Sequence, residues 1–286
     1  MSMGITEFKL DLSLIDEMVL RAINEDVGSG DLSTDLLIPK ESTVRAKIVA
    51  KDYGVVAGLL VAEKVFKQLD PELNWKPRRK DGAQIKRGEI IVEFEGSYRA
   101  ILTGERSALN FLQRMSGIAT RTSKFVNAVK DYKTEILDTR KTLPGFRMLD
   151  KYSVQVGGGT NHRIGLYDMV MLKENHIRVA GGIIPAVQQV RKGLAEGIKV
   201  EVETTTLDEV KQALDALADI IMLDNMSNEE MLEAVKLIAG KAKVEASGSV
   251  TLARAKTIAA LGVDYISVGA LTHSVEALDL SQQIIV

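Results

Sequence analysis

The chain has 286 residues, of which 45% are hydrophobic and 27% charged, and its formal net charge is −2. This length predicts one large domain or two moderate ones. The near-neutral charge argues against a general nucleic-acid binder. The absence of cysteine excludes disulfides, thiolate metal sites and a cysteine nucleophile.

The N-terminus and the apolar runs favour a soluble protein of the cytoplasm. Residues 1–18 carry acidic side chains within their apolar part and show no signal peptide. No uncharged apolar run reaches the roughly 18 residues that a membrane span needs. A chain without cysteine also fits a reducing compartment. We therefore expect no membrane and no nucleic acid among its partners.

The first hundred residues predict a small α+β domain. Residues 13–24 have apolar side chains at helical spacing, and Ser13 begins a sequence that resembles a capping box. A second helix is predicted at 58–69, between strands at 44–52 and 88–96.

A long helix follows, from about residue 103 to residue 129, and contains Arg106 and Arg114. Arginines on a helix usually lie on its solvated face, and composition alone predicts that position for both.

From residue 134 onward, short apolar strands alternate with helices. The six strands begin near residues 134, 167, 199, 220, 243 and 264. Thr206 and Ser227 each precede a glutamate by three residues, which is typical of a helix start. Strands that alternate with helices predict a parallel sheet. A dinucleotide-binding fold is disfavoured, because no GxGxxG motif opens a helix after the first strand. Because only six units are plain, we predict an incomplete, open α/β barrel.

Each of these strands ends in charged or small residues. The ends are Arg140–Lys141, Lys173, Glu203, Asp224, Ser247–Gly248 and Gly269–Ala270. In parallel barrels, active sites form at these carboxyl ends. Cations there suit carboxylates or phosphates, and small-residue turns suit a phosphate. The two acidic residues either hold Mg²⁺ or pair with the neighbouring cations. The residues thus predict a Mg²⁺-assisted enzyme that acts on a phosphorylated substrate and a second anion.

Residues 138–177 concentrate basic side chains around three consecutive glycines, and they contain two of the three histidines. His162 is predicted to contact an anion, whereas His176 and His273 are as readily explained by structural hydrogen bonds.

Four other side chains of the second half are given structural roles. Arg147 and Lys151 are predicted on the surface of the helix that follows the first barrel strand, and Tyr167 and Tyr265 in the cores of strands.

Several motifs together resemble one family. They are EDVGSGDLST, ERSALNFLQRMSGIAT, DTRKTLPGFR, GGGTNHRIGLYDMVMLKENHI, VEVE, IMLDN, EASGSV and VDYISVGALTHS, and they span nearly the whole chain in order. They closely resemble quinolinate phosphoribosyltransferases, also called carboxylating nicotinate-nucleotide pyrophosphorylases. The resemblance implies an N-terminal α/β sandwich domain (1–115, joined by 273–286) and an open α/β barrel (116–272).

The same resemblance implies a reaction. Quinolinate and 5-phosphoribosyl-1-pyrophosphate would give nicotinate mononucleotide, pyrophosphate and CO₂ in NAD biosynthesis. It implies a homodimer in which Arg106 is donated across the interface. Substrate contacts are expected from Arg106, Thr139, Arg140, Lys141, His162, Arg163, Lys173, Glu203, Asp224, Ser247, Gly248, Val268, Gly269 and Ala270. Among these, Lys141, Lys173, Glu203 and Asp224 are the expected catalytic residues, and Glu203 and Asp224 the expected Mg²⁺ ligands.

Three other interpretations compete. A related phosphoribosyltransferase would act on nicotinate or another acceptor. A Schiff-base aldolase would use Lys173 as its nucleophile. A regulatory protein would use the basic pocket only to sense a phosphorylated metabolite.

Overall fold

A computed structural model describes residues 10–285 of the chain. Residues 1–9, on which half of the signal-peptide interpretation rests, lie outside the described part. Within residues 10–285, no helix combines the length and the apolar character that a membrane crossing requires.

The strands are β1 (Thr43–Ala50), β2 (Gly54–Val55), β3 (Asn74–Pro77), β4 (Gln84–Ile85), β5 (Ile90–Ser97), β6 (Glu135–Leu137), β7 (Val170–Leu172), β8 (Val200–Thr204), β9 (Ile220–Asp224), β10 (Lys243–Ser247), β11 (Tyr265–Ser267) and β12 (Leu280–Ile285). The helices are α1 (Leu12–Val27), α2 (Leu32–Leu37), α3 (Leu59–Leu69), α4 (Tyr98–Val129), α5 (Arg147–Val156), α6 (Glu174–Ala180), α7 (Ile183–Gly193), α8 (Leu207–Asp215), α9 (Asn228–Ile238), α10 (Leu252–Ala260) and α11 (Ala270–His273).

The chain divides into two compact units. The first comprises Met1–Ser123, Pro144–Gly158 and Ser274–Val286, and the second comprises Lys124–Leu143 and Gly159–His273. The C-terminal segment groups with the first unit, as the resemblance implies. Residues 144–158 also group with the first unit, whereas the predicted boundaries assign them to the barrel domain.

The first unit contains a four-stranded antiparallel sheet in the order β12-β1-β5-β3. The predicted strands at 44–52 and 88–96 are confirmed as β1 and β5, which pair antiparallel. The predicted helix at 13–24 is confirmed as α1, but the capping prediction is wrong. Asp11, and not Ser13, caps the helix, because its carboxylate accepts the N–H groups of Ser13 and Leu14.

Apolar side chains from the sheet and from α1, α3 and α4 form the core of the first unit. The single tryptophan belongs to it: the ring of Trp75 lies 5.9 Å from that of Phe66 and 5.2 Å from that of Phe94. Burial of this aliphatic and aromatic surface stabilises the unit.

Arg114 does not lie on a solvated face, so that prediction is wrong. Its guanidinium donates two hydrogen bonds to Asp150, at 3.1 and 2.9 Å, and the side chain of Asp150 is only 1% exposed. A paired arginine lets a carboxylate be buried. Lys151, next in sequence on α5, is also buried, which contradicts its predicted surface position.

Gly117, in the middle of α4, is required by a close backbone approach. A Cβ at this position would lie 2.2 Å from the carbonyl oxygen of Glu276. Glycine weakens a helix interior by about 1 kcal/mol relative to alanine, so propensity alone predicts that Gly117→Ala stabilises. The clash with backbone reverses the sign, and we expect a net loss of about 1–3 kcal/mol in the free energy of unfolding.

Urea unfolding of Gly117→Ala would measure this loss. Gly193→Ala is the matched control, because a Cβ at the end of α7 meets nothing within 4 Å. Equal or higher stability of Gly117→Ala than of the parent chain would contradict the close approach.

The second unit contains a six-stranded parallel sheet in the order β6-β11-β10-β9-β8-β7. All six predicted strands are present, and the predicted α/β fold is confirmed. Among the described residues β6 and β7 do not pair with each other, which fits an open barrel. Tyr265 is buried on β11 as predicted, but Tyr167 is 77% exposed because β7 begins only at Val170.

Candidate active site

The carboxyl ends of the parallel strands collect most of the predicted site residues at one edge of the sheet. Thr139, Arg140 and Lys141 follow β6, and Lys173 follows β7. Glu203 is the next-to-last residue of β8, and Asp224 is the last residue of the adjacent strand β9. Ser247 and Gly248 lie at the end of β10, and Val268, Gly269 and Ala270 follow β11. Arg106 belongs to the first unit, where it is exposed on α4.

Lys173 and Glu203 form an ion pair. The lysine Nζ lies 2.6 Å from Oε2 of Glu203, and the glutamate side chain is 18% exposed. Asp224 instead accepts a hydrogen bond from the side-chain amide of Asn225 at 2.9 Å and forms no ion pair with a described residue. The sequence left open whether these carboxylates pair with neighbouring cations or hold Mg²⁺. In this structure Glu203 is paired with a cation, and Asp224 is not.

Lys141 is held at its backbone, so its side chain starts from a fixed point. Its N–H donates to the hydroxyl of Thr139 at 3.1 Å, and its carbonyl accepts from the hydroxyl of Thr272 at 2.9 Å. The aliphatic chain passes Gly269, where an added Cβ would lie 3.0 Å from Cδ of Lys141. Because Gly269 has no side chain, the aliphatic part of Lys141 can pass close to the turn that follows β11.

Arg163 and Arg140 place two guanidinium groups near each other. Arg163 donates to the carbonyl of Met169 at 3.1 Å. Burial, and next the charge of Arg140, lower the pKa of the Arg163 guanidinium, while the carboxylates of Glu201 and Asp168 act in the opposite direction. Nε of Arg140 is buried without a hydrogen-bond partner among the described residues. Two cations held together with an unused donor are the environment that an anionic ligand completes.

The turn after β10 depends on a glycine and an asparagine. Gly248 has φ +94°, and a Cβ there would lie 2.2 Å from the side-chain oxygen of Asn225. Asn225 itself has φ +55° and donates its N–H to the carbonyl of Ser247 at 3.0 Å. Residues forced into left-handed conformations cluster at functional sites, where the surroundings hold them in place.

His162 is buried, and neighbouring side chains fix its backbone. Its N–H donates to Asp138 at 2.9 Å, and the same carboxylate accepts from the side chain of Asn161 at 2.7 Å. Nδ1 of the ring accepts the N–H of Arg163 at 2.8 Å. The predicted anion contact of His162 stays a prediction, because in this structure both ring nitrogens face protein groups.

Two buried glutamates lie beside the His162 ring. Nε2 is 3.1 Å from Oε2 of Glu201 and 3.3 Å from Oε2 of Glu245, and neither glutamate is exposed. Burial, and next the charge of Glu245, raise the pKa of Glu201 to about 7. Burial lowers the pKa of His162, but the two glutamates outweigh it and raise that pKa to about 10. His162, Glu201 and Glu245 thus form a buried, strongly interacting group of polar side chains within the sheet that carries the site.

Sequence reasoning did not identify Glu201, Glu245, Asp138 or Asn225. The sequence does contain a signal for the two glutamates: each is a charged residue within an otherwise apolar strand. Strands of a parallel sheet are buried on both faces, so a charge inside one needs a partner. His176 accepts the N–H of Lys173 at 3.1 Å through Nδ1, which confirms that it makes a structural hydrogen bond.

Comparisons with known proteins agree on one family. Residues 31–116 match the N-terminal domain and residues 118–283 the C-terminal domain of quinolinate phosphoribosyl transferase. A probable nicotinate-nucleotide pyrophosphorylase (carboxylating) of Synechocystis is 44% identical over 275 residues, covering 95% of this chain and 93% of that protein. Its counterpart in Bacillus subtilis is 43% identical over 260 residues, covering 91% and 90%.

Solved structures give the same result. The nicotinate-nucleotide pyrophosphorylase of Francisella tularensis superposes with a TM-score of 0.94 at 42% identity, covering 97% of this chain and 98% of the other. Because both domains and nearly the whole length match, the chain belongs to the quinolinate phosphoribosyltransferase family.

Proposed function

We propose that this protein transfers the phosphoribosyl group of 5-phosphoribosyl-1-pyrophosphate to quinolinate and releases pyrophosphate and CO₂. The product is nicotinate mononucleotide, a precursor in de novo NAD biosynthesis. The observation that carries the proposal is the juxtaposition of Arg140 and Arg163, with a buried donor unused, on the sheet edge that also bears Glu203 and Asp224. That set suits a dicarboxylate beside a ribose phosphate.

Quinolinate would be held through its two carboxylates by Arg140, Lys141 and Arg163. Arginine forks bind carboxylates in a bidentate manner and fix the plane of the ring as well as its position. Holding the pyridine nitrogen in line with the ribose C1 turns a bimolecular attack into an effectively unimolecular one. Lys173 would lie between the two substrates and neutralise charge on both.

The phosphoribosyl donor would be held by two groups of residues. Glu203 and Asp224 would accept hydrogen bonds from the ribose hydroxyls. Ser247, Gly248, Val268, Gly269 and Ala270 would surround the 5′-phosphate in turns where small side chains allow backbone N–H groups to approach.

We also propose Mg²⁺ as a cofactor. Hard carboxylate oxygens on adjacent strand ends fit this ion, which usually takes one or two protein carboxylates and completes its shell with substrate phosphates. Asp224 fits best, because it forms no ion pair with any residue in the described part of the chain. When bound, the ion would supply charge neutralisation for the pyrophosphate group.

The protein groups then act through charge and position alone. Cations around the pyrophosphate favour its departure as the ribose C1 gains oxocarbenium character. The pyridine nitrogen bonds to C1, and its new positive charge stabilises the carbanion that remains when the 2-carboxylate leaves as CO₂. A proton then replaces the lost carboxylate. No protein nucleophile is needed, and the amine of Lys173 is occupied by Glu203 rather than set apart for a Schiff base.

The decisive experiment incubates the purified protein with quinolinate, 5-phosphoribosyl-1-pyrophosphate and Mg²⁺ and follows nicotinate mononucleotide and CO₂. We expect one CO₂ for each nucleotide formed, and no turnover after EDTA treatment until Mg²⁺ is restored. Turnover of nicotinate in place of quinolinate would favour the related transferase. Borohydride trapping of a substrate on Lys173 would favour the aldolase.

We further propose a cytoplasmic homodimer in which Arg106 completes the partner's site. An exposed arginine on α4 is available for such a role. Exposed leucines on the nearby α2 support an interface in this unit, since Leu32, Leu36 and Leu37 are 77%, 84% and 78% exposed.

Mixing two inactive variants would test the shared site. Arg106→Met and Arg163→Met should each leave little quinolinate turnover. After joint unfolding and refolding, mixed dimers contain one intact site if Arg106 acts across the interface. About a quarter of the parent activity should then return, because half of the dimers are mixed and each has one good site. No recovery, with dimers present, would place Arg106 in its own protomer's site or outside any site.

A further inference from the structure

The ring of His162 and the carboxylates of Glu201 and Glu245 form a buried group, called here the His162 cluster. Glu201 precedes Glu203 by two residues on β8, and Glu245 precedes Ser247 by two on β10. Side chains two apart on a strand share a face, so the cluster lies one layer below the strand ends that carry the site. None of the proposed substrate contacts uses either glutamate.

The hydrogen bond from Arg163 decides which ring nitrogen of His162 carries the proton. Nδ1 accepts the N–H of Arg163 at 2.8 Å, so it must present a lone pair. The ring proton of a neutral imidazole then lies on Nε2, which faces Glu201 and Glu245 at 3.1 and 3.3 Å. Neither contact has the alignment of a linear hydrogen bond, and one proton between two acceptors can instead form a bent, three-centre bond.

The same hydrogen bond argues against two other states of the cluster. One imidazole nitrogen and two carboxylates are a donor set for a divalent cation, and the candidate ligand atoms lie within 4.8 Å of one another. A cation on Nε2 would require a proton on Nδ1, where it would oppose the Arg163 N–H. The high pKa of His162 favours an imidazolium, which would also place a proton there. The geometry at Nδ1 favours the neutral ring, because either of the other two states would break the hydrogen bond that Nδ1 accepts from the Arg163 N–H.

We propose that Glu201 and Glu245 are positioning residues, which jointly accept the Nε2–H of His162 and so hold the ring against the backbone of Arg163. This contact sets the point from which the Arg163 side chain reaches an acceptor carboxylate. The inference rests on the proposed function, because it assigns Arg163 to quinolinate. Among the described residues, the carboxylate oxygens of both glutamates accept from no group outside the cluster, so the ring N–H is a donor that both can reach.

Two acceptors for one proton predict non-additive effects. Removing one carboxylate leaves the other to accept the proton, so each single variant should be mild. Removing both leaves a buried N–H without an acceptor, which costs more than the sum of the single changes. Glutamine retains an acceptor oxygen, whereas methionine has a similar size and none.

The direct test is ¹⁵N NMR of the histidine rings in the intact protein. The chain has only three histidines, so His176→Gln and His273→Gln variants assign the signals. We expect an unprotonated Nδ1 and a protonated Nε2 for His162 at neutral pH. Protons on both nitrogens, or a spectrum that shifts on addition of stoichiometric Zn²⁺ or Mn²⁺, would overturn the proposal. This measurement needs no variant in the cluster and no turnover.

Kinetics test the consequence for Arg163. The double variant Glu201→Met/Glu245→Met should raise KM for quinolinate at least ~10-fold and leave KM for 5-phosphoribosyl-1-pyrophosphate within about twofold. The double glutamine variant should stay within about threefold of the parent for both substrates. Asp219→Asn is the control for general destabilisation, because Asp219 holds the N–H of Val200 and Arg191 before β9, at the opposite end of the strands.

Other outcomes would refute the positioning role. Unchanged kinetics in the methionine pair would show that the ring needs no acceptor. Equal rises in both KM values, or the same pattern in Asp219→Asn, would indicate only a structural contribution. Loss of activity in the glutamine pair together with a bound metal in the parent would indicate a metal site. If the parent chain does not turn over quinolinate at all, the proposed function fails, and the NMR result still decides the state of the ring.

Discussion

Replacing Arg163 with methionine is expected to lower kcat/KM for quinolinate by about 100-fold or more, because Arg163 is a partly buried, hydrogen-bonded charge and truncating such a partner of a carboxylate typically costs this much. Methionine keeps much of the aliphatic volume and removes the fork that would bind a carboxylate. The remaining cations, Arg140 and Lys141, cannot reproduce that bidentate contact from their own positions. KM for 5-phosphoribosyl-1-pyrophosphate should change little, because the proposed phosphate contacts come from other strands.

The anchoring of Arg163 explains why the effect should be specific. Its guanidinium already donates to the carbonyl of Met169, which fixes one side of the fork. Burial beside Arg140 disfavours a second cation there unless an anion joins them. Quinolinate would therefore be bound most strongly by the carboxylate that both arginines reach.

Arg178→Met is the matched control for this experiment. Arg178 is exposed in the last turn of α6, where it contacts Asn175 at 2.9 Å, so the variant loses the same charge away from the proposed contacts. Steady-state kinetics with each substrate varied in turn would separate the two effects. If the Arg163→Met variant kept the parent's kcat/KM for quinolinate, Arg163 would not contact this substrate.

The sequence predicted the strands of the second unit well because each buried strand leaves a local trace. Runs such as 220–224 and 243–247 are short and apolar, and a turn or a helix cap follows. The carboxyl end of a parallel strand also has a known place in the fold, so the sequence alone predicts that Lys173 and Glu203 lie at one edge of the sheet.

Other features depend on contacts between residues far apart in the chain, which periodicity does not encode. Arg114 appears on a helix like any solvated arginine, and only the fold brings Asp150 to it, 36 residues away. Glu201 and Glu245 occupy different strands and meet only through His162. The grouping of residues 144–158 with the first unit likewise depends on contacts between distant residues, although these residues follow soon after β6 in the chain.

Gly248→Ala is expected to raise KM for 5-phosphoribosyl-1-pyrophosphate by about 100-fold or more, since a misplacement of about 1 Å in groups that position a substrate can have effects of this size. Two costs act together. Alanine disfavours φ +94°, and its Cβ would lie 2.2 Å from the side-chain oxygen of Asn225 and 2.9 Å from its backbone nitrogen. Backbone cannot rotate away as a flexible side chain can, so the turn itself must move.

Gly240→Ala separates these two costs. Gly240 has φ +77°, but a Cβ there meets nothing within 4 Å, so alanine introduces backbone strain without a clash. Both variants should lose about 1–2 kcal/mol of stability from the left-handed conformation. Only Gly248→Ala should also lose phosphate binding, because Asn225 joins this turn to the end of β9 beside Asp224. Equal KM values for the two variants would mean that the β10 turn does not contact the 5′-phosphate, and that strain alone explains its glycine.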